Sequence, residues 1–307
     1  MLKISGIKLA LLRSRIELMI YNRILVPLDG SKLAEGVLPY VRLLGSALKL
    51  PVDLIHVNDL ETVAPFPHPM HGRDYLKEVA ASFITSLAVD YRVEHGRAAD
   101  VIVDRASGDA GTLIMMATHG RSGPQRWLLG GVAQKVLQVS TNPLFLIRPK
   151  EETLARDVGL NTLILPLDGS HLAEKIFPHV IYLANRLSLE VVLIRTYTLP
   201  TSAYFLATGV SPPAIGELGE KIKGDATDYL QAKVEELQAE GVEKASFVAI
   251  EGKGPEEIID LARKTADNMV AMSTHGRSGI GRWVLGSVTD RVVCYSGDPV
   301  LVIRPTS

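Results

Sequence analysis

The sequence predicts an α/β protein of two tandem domains, each a five-stranded parallel sheet flanked by helices, and three observations carry that expectation. The chain has 307 residues, long for one compact domain at roughly 100 to 200 residues each. Its first half recurs in its second, RILVPLDGSKLAEGVLPYV at 23 to 41 answering TLILPLDGSHLAEKIFPHV at 162 to 180. Near-continuous apolar runs alternate with stretches of three-and-four apolar spacing, the pattern of buried parallel strands joined by helices.

Residues 1–20 are expected to form an N-terminal extension. They carry Lys3, Lys8, Arg13 and Arg15 among leucines and isoleucines, in apolar runs too short to span a bilayer or make a good signal core. An upstream start with Met19 as the functional start, an interfacial amphipathic helix and a cleaved signal are the three readings. Domain 1, residues 21–149, opens on the strand ILVPLD, which ends in Asp-Gly-Ser before a helix. VDLIHV is its second strand, followed by a variable loop, a helix, a third strand near DYRVE and another helix. TLIMMA is the fourth strand and LFLIRP the fifth.

A linker covers 150–161, and domain 2 covers 162–307 with strands LILPLD, EVVLIRT, SFVAIE, NMVAMS and VLVIRP. A second repeated block, MATHGRSGPQRWLLGGVAQKVLQVSTNPLFLIRP at 116 to 149, answers MSTHGRSGIGRWVLGSVTDRVVCYSGDPVLVIRP at 272 to 305. The offset is 168 − 29 = 139 in the first block and 275 − 119 = 156 in the second, so domain 2 gains 17 residues in its middle. The extra length falls in TYTLPTSAYFLATGVSPPAIGELGE at 196 to 220, which its Pro, Gly and Ala content marks as a long loop with at most a short helical turn. It is a candidate lid or pocket wall.

With 22% charged residues and a net charge of −1, nothing favours nucleic acid or an anionic membrane as partner. The single cysteine, Cys294, excludes an internal disulfide and a cysteine-built zinc site, and reads as filler on the last helix. A cytoplasmic location with no transmembrane segment is the expectation.

The hexapeptide THGRSG, at 118 to 123 and 274 to 279, follows the fourth strand of each half. In open parallel sheets ligands sit beyond the carboxyl ends of strands where chain order reverses. Gly120 and Gly276 allow close backbone approach. Ten positions on, Gly130 or Gly286 introduces a helix whose amides and dipole can receive an anion. Ser287 and Thr289 add hydroxyls, and Arg277 reaches the same region. Asp29 and Asp168 either bind a base or ribose edge or cap the next helix. His119 and His275 have no partner visible in the sequence and read as turn residues bonded to backbone. Arg126 and Arg282, beside Trp127 and Trp283, read as packing and salt-bridge residues. The P-loop, HExxH and GxSxG motifs are absent.

These residues resemble the universal stress protein family, as a tandem of two domains, through P-x-D-G-S, M-x-T-H-G-R-S-G and P-V-L-V-I-R-P from about Tyr21 to Pro305. The resemblance implies Rossmann-like, adenine nucleotide alpha hydrolase-like domains. Its ATP-binding branch carries G-x2-G-x9-G-[ST], which maps to Ser273, Gly276, Gly286 and Ser287, with serine in place of the first glycine. By that pattern Pro166, Asp168, Thr196 and Met272 meet base and ribose, while Gly276, Gly286, Ser287 and Val288 hold phosphates. The counterparts in the first half are Pro27, Asp29, Val57 and Met116, with Gly120, Gly130, Gly131 and Val132. There Gly131 and Ala133 stand where domain 2 has Ser287 and Thr289, so a weaker site is expected.

The resemblance further implies pairing of fifth strands, here LFLIRP with VLVIRP as an intramolecular pseudo-dimer, with a homodimer and an unidentified protein partner as further expectations. The function expected is an ATP-binding stress-response or regulatory module. Mg²⁺ comes through the nucleotide phosphates, and hydrolysis is slow at most, since no nucleophile and base pair is evident. The rival readings are an ATP-cleaving phosphoryl or adenylyl transferase and a nucleotide-free scaffold.

Overall fold

The computed structural model describes residues 20–59, 72–83, 87–120, 129–149, 158–199, 212–274 and 286–305. Domain 1 runs β1 (Arg23–Pro27), α1 (Lys32–Glu35), α2 (Leu38–Leu48), β2 (Val52–Asn58), α3 (Gly72–Ala81), β3 (Val89–His95), α4 (Ala98–Ser107), β4 (Thr112–Ala117), α5 (Gly131–Val139) and β5 (Leu144–Ile147). Domain 2 repeats the plan as β6 (Thr162–Pro166), α6 (His171–Glu174), α7 (Phe177–Leu187), β7 (Glu190–Tyr197), α8 (Pro212–Ala239), β8 (Ala245–Glu251), α9 (Gly254–Lys264), β9 (Asn268–Ser273), α10 (Ser287–Tyr295) and β10 (Val300–Ile303).

The strands form one sheet in the order β3-β2-β1-β4-β5-β10-β9-β6-β7-β8. Pairing is parallel within each half and antiparallel where β5 meets β10, Phe145 lying opposite Leu301. The intramolecular pseudo-dimer expected of the fifth strands is therefore present. Each fifth strand covers the edge of the other, removing the free backbone groups that an edge exposes.

Burial follows the two-residue period of a strand. Leu113 and Met115 of β4 face one core with Phe145 and Leu301, while Ile114 and Met116 face a second core with Leu146 and Val302. Both cores run through the seam. So do two reciprocal contacts: the Arg148 guanidinium donates to the carbonyl of Cys294 in the last turn of α10, and Arg304 donates to that of Gln138 in the last turn of α5. Gln138 and Cys294 are equivalent positions, so each domain places a cation at the negative helix end of the other.

The segment from 212 to 220 departs from the expected loop, being the start of the 28-residue α8. Two prolines at its first positions lack only amides that a helix start leaves unpaired anyway. Ala226, Leu230, Val234 and Leu237, all buried, anchor the rest of the helix at spacings of four and three. The packing of that stripe overrides the weak helical propensity of Gly216 and Gly219. Residues 200–211 lie outside the described residues, as do 1–19 and 150–157. Among the described residues no helix is long and apolar enough to cross a membrane.

The two halves also meet at Tyr21 and His179, where the buried Tyr21 hydroxyl stands 3.0 Å from His179 Nδ1. Burial, then the nearby Tyr182, pushes the Tyr21 pKa up, so the hydroxyl keeps its proton and donates. Burial holds the His179 pKa down to about 4. An unfolded chain takes up the proton near pH 6.5, so between about pH 6.5 and 4 the unfolded state binds more protons and stability falls as pH falls. The expected loss is on the order of 2 kcal/mol, after allowing for the ring's partial exposure. Urea denaturation at pH 7 and pH 4.5 should show this drop in wild type and a smaller one in His179→Gln, which keeps an acceptor but does not titrate. Equal drops in both would remove the role assigned to His179.

Candidate functional site

In domain 2, β6 lies between β7 and β9, so chain order reverses at its carboxyl end. A cavity of about 670 Å³ opens there. Pro166 and Asp168 line it from the end of β6, Thr196 from β7, and Met272 and Ser273 from β9. Gly286, Ser287, Val288 and Thr289, at the start of α10, close it. Of the residues expected in this site, Gly276 and Arg277 lie outside the described residues. The remaining nine are brought together.

The turn after β6 is built by Asp168, whose Oδ1 accepts the Ser170 amide at 2.9 Å. Ser170 in turn caps α6, its hydroxyl accepting from the Ala173 amide at 3.2 Å. Ser31 caps α1 in domain 1 in the same way, and both its amide and its hydroxyl donate to Asp29 Oδ1, at 2.9 and 2.6 Å. The helix caps are therefore the serines, and the aspartates shape the turn while lining the cavities.

Gly286 is required by shape. Its amide donates to the Thr274 carbonyl at 3.0 Å, and a Cβ added there would lie 2.7 Å from that oxygen. Gly130 repeats both features against Thr118, at 2.8 and 2.8 Å. This revises the expected cradle, because the glycine amides are engaged with backbone. What faces the cavity is the first turn of the following helix, Ser287, Val288 and Thr289, and its N-cap residue Gly286 supplies no side-chain cap. The Thr289 hydroxyl, expected as a donor to the ligand, instead donates to the Ser273 carbonyl at 3.1 Å and is buried. It ties α10 to β9. The Ser273 Oγ atom, by contrast, is buried with no hydrogen-bond partner among the described residues.

Domain 1 repeats the site as a cavity of about 490 Å³, lined by Pro27, Asp29, Val57, Met116, Gly120, Gly130, Gly131 and Val132. All eight residues expected there come together. A Cβ at Gly120 would lie 2.2 Å from Asp29 Oδ2, so glycine at that position lets the repeated hexapeptide abut the strand-one carboxylate. His119 lines this cavity, its Nδ1 2.9 Å from Thr118 Oγ1. His275, Arg126, Arg282, Trp127 and Trp283 lie outside the described residues. Cys294 is half-buried rather than fully packed, with its thiol pKa pushed up by burial and then by Asp290. Among the described residues no group of three or more His, Cys, Asp or Glu is arranged to hold a metal ion.

One constellation escaped the sequence reading. Tyr229 of α8 donates to Glu174 Oε1 at 2.8 Å, and Tyr75 of α3 donates to Glu35 Oε1 at 3.2 Å. Burial, followed by the carboxylate, raises both phenol pKa values. Ala34 and Ala173, the residues before the two glutamates, line the cavities, and in domain 2 the cavity-lining residue Arg195 stacks its guanidinium 4.6 Å from the Tyr229 ring centre. A short signal existed: Asp-Tyr-Leu occurs at 74–76 and 228–230, and the glutamates end the repeated LAE.

The family described as "Universal stress protein family" matches residues 20–148 and 160–304. The universal stress protein MJ0531 of Methanocaldococcus jannaschii is 30% identical over 145 residues, covering 46% of this chain and 81% of that protein. A universal stress protein of Mycolicibacterium smegmatis is 22% identical over 299 residues, covering 92% of this chain and 97% of the other. The crystal structure of a universal stress protein from Archaeoglobus fulgidus shares the fold with a TM-score of 0.69 at 18% identity, covering 92% of this chain and 98% of that one. With both halves matched and the tandem arrangement shared, the chain belongs to the universal stress protein family.

Proposed function

We propose that this chain is a nucleotide-dependent regulatory module of the cytoplasm that binds ATP, with its main site in domain 2. The observation that carries the reading is the first turn of α10, with no side-chain cap from Gly286, facing a cavity that also holds an aspartate, a threonine and a buried serine hydroxyl with no partner among the described residues. Base and ribose would lie against Pro166, Asp168, Thr196 and Met272. The phosphates would take the Ser287 and Val288 amides and the Ser287 hydroxyl, where the positive helix end favours anions. The Ser273 hydroxyl fits as a further donor, because a buried hydroxyl without a partner costs about 1–3 kcal/mol that a ligand oxygen would offset. Mg²⁺ would come with the phosphates and neutralise part of their charge. The chain's own residues bind and orient, and bound nucleotide alters its contacts with a partner.

The discriminating variant is Ser287→Asp. A carboxylate in the first turn of α10 is favourable to the helix by about 0.3–1 kcal/mol, so folding survives while phosphate is repelled. Calorimetric titration with ATP and Mg²⁺ should show at least a hundredfold loss of affinity at the domain 2 site, with Gly131→Asp leaving that site intact. A wild-type isotherm without heat, or one unchanged by Ser287→Asp, would defeat the proposal. Gly286→Asp is less informative, since its Cβ would strike the Thr274 carbonyl.

A further inference from the structure

We infer that Arg195 makes the domain 2 cavity selective for an adenine nucleotide with an additional phosphate on its ribose, at the 2′ or the 3′ oxygen. The inference rests on the adenine nucleotide reading of that cavity. Arg195 stands between Ile194 and Thr196 on β7, and all three line the cavity. Its guanidinium lies against the turn after β6: a Cβ added to Gly169 would stand 3.1 Å from Nη2, 3.3 Å from Cζ and 3.4 Å from Nη1. Gly169 follows Asp168, so the cation sits beside the residue assigned to the ribose.

Three side chains hold the guanidinium there. Its carbon is 4.6 Å from the Tyr229 ring centre, Tyr229 donates to Glu174 Oε1 at 2.8 Å, and Lys233 donates to Glu174 Oε2 at 3.0 Å. Stacking occupies the face of a guanidinium and leaves the N–H donors on its edge for other groups. Among the described residues the Arg195 side chain forms no ion pair and no hydrogen bond. That edge matches phosphate oxygens two at a time, and an arginine near the ribose is how open α/β nucleotide sites accommodate a ribose phosphate.

Domain 1 shows the same site without this device. His56 stands where domain 2 has Arg195, and it is buried with its Nδ1 2.8 Å from the Leu28 carbonyl. A Cβ at Gly72, the first residue of α3, would lie 2.7 Å from the His56 ring, so α3 packs directly onto it. The shared Asp-Tyr-Leu places Ala226 of α8 where α3 has Gly72. There Ile222, Asp225 and Ala226 wall the domain 2 cavity with Tyr197 and Thr198, whereas no described residue of α3 lines the domain 1 cavity. The volumes follow, about 670 Å³ against about 490 Å³. Two carboxylates line each cavity, Asp168 and Asp225 in one and Asp29 and Asp59 in the other, so the difference between the halves is the cation and the space beside it. Asp225 is exposed, where water and salt screen its charge, and Asp168 is left to meet the ribose hydroxyl that carries no phosphate.

The test titrates AMP, adenosine 2′,5′-bisphosphate and adenosine 3′,5′-bisphosphate calorimetrically into the full chain carrying Gly131→Asp, so that domain 1 contributes no heat. One bisphosphate should bind about tenfold or more tightly than AMP, the effect of one hydrogen bond between charged groups, and which one it is identifies the oxygen facing Arg195. Adding Arg195→Gln should cut the preference to about twofold or less, and Arg195→Lys, which keeps the charge without the planar fork, should fall between. A preference below about threefold with Arg195 in place, or one that Arg195→Gln leaves intact, would overturn the inference while AMP binding upholds the nucleotide reading. No heat with any nucleotide, ATP with Mg²⁺ included, would defeat that reading and the inference with it.

Discussion

Asp53→Ala is expected to destabilise domain 1 by about 1–3 kcal/mol, because it removes the buried carboxylate that ties together three partly exposed arginines. The Asp53 carboxylate, 8% exposed, meets Arg92 Nε at 3.0 Å, Arg105 at 3.3 Å and Arg23 at 3.7 Å. Domain 2 contains its own control. Offsets of 139 for the first two positions and 156 for Arg105, with the strand register for Arg92, place Thr162, Val192, Val248 and Leu261 where domain 1 has Arg23, Asp53, Arg92 and Arg105. One half of the molecule thus solves with apolar packing what the other solves with charge. Exchanging a whole buried ionic cluster for well-packed apolar groups is often neutral or stabilising, whereas removing one partner leaves uncompensated charge. The quadruple change Arg23→Thr, Asp53→Val, Arg92→Val and Arg105→Leu should therefore stay within about 1 kcal/mol of wild type or exceed it. Guanidinium denaturation of both variants decides the matter. A single Asp53→Ala as stable as wild type would show that the arginines are adequately solvated without the carboxylate.

The strands were legible because burial on both faces requires continuous apolar runs, and TLIMMA and NMVAMS coincide with β4 and β9 residue for residue. The residues that line each cavity were legible through repetition, since a turn shape needing Asp29 or Gly130 in one half needs Asp168 or Gly286 in the other. What could not be read is pairing across distance. The Tyr229 and Glu174 contact joins residues 55 apart, and the Asp53 cluster draws on three strands and a helix. The direction of a hydroxyl was also hidden: Thr289 and Ser287 stand two apart in the same helical turn, yet one is buried against Ser273 and the other is exposed at the cavity. The start of α8 was hidden for a different reason, because the stripe that holds the helix begins beyond the segment rich in Pro and Gly.

Phe145→Ala should lower stability by about 3–5 kcal/mol, and it should do so for both domains at once. Phe145 is fully buried in β5, opposite Leu301 of β10, with its ring 6.2 Å from that of Tyr40. Its core contains Leu113 and Val41 of domain 1 together with Leu163, Ala271 and Ile303 of domain 2. The core on the opposite face of the sheet also spans the seam. Sheet hydrogen bonding, two continuous cores and the reciprocal Arg148 and Arg304 contacts all couple the halves, so neither half unfolds while the other keeps a complete core. A single cooperative unfolding transition follows, and truncating Phe145 shifts all of it. Thermal unfolding monitored by calorimetry, with hydrogen exchange read separately in β2 and β7, measures this directly. If two transitions appear and only the one reported by β2 moves, the seam is a contact between independently stable domains. If both strands lose protection together, a ligand that stabilises the domain 2 cavity also stabilises the structure around domain 1, since binding to the native state raises the stability of the whole cooperative unit.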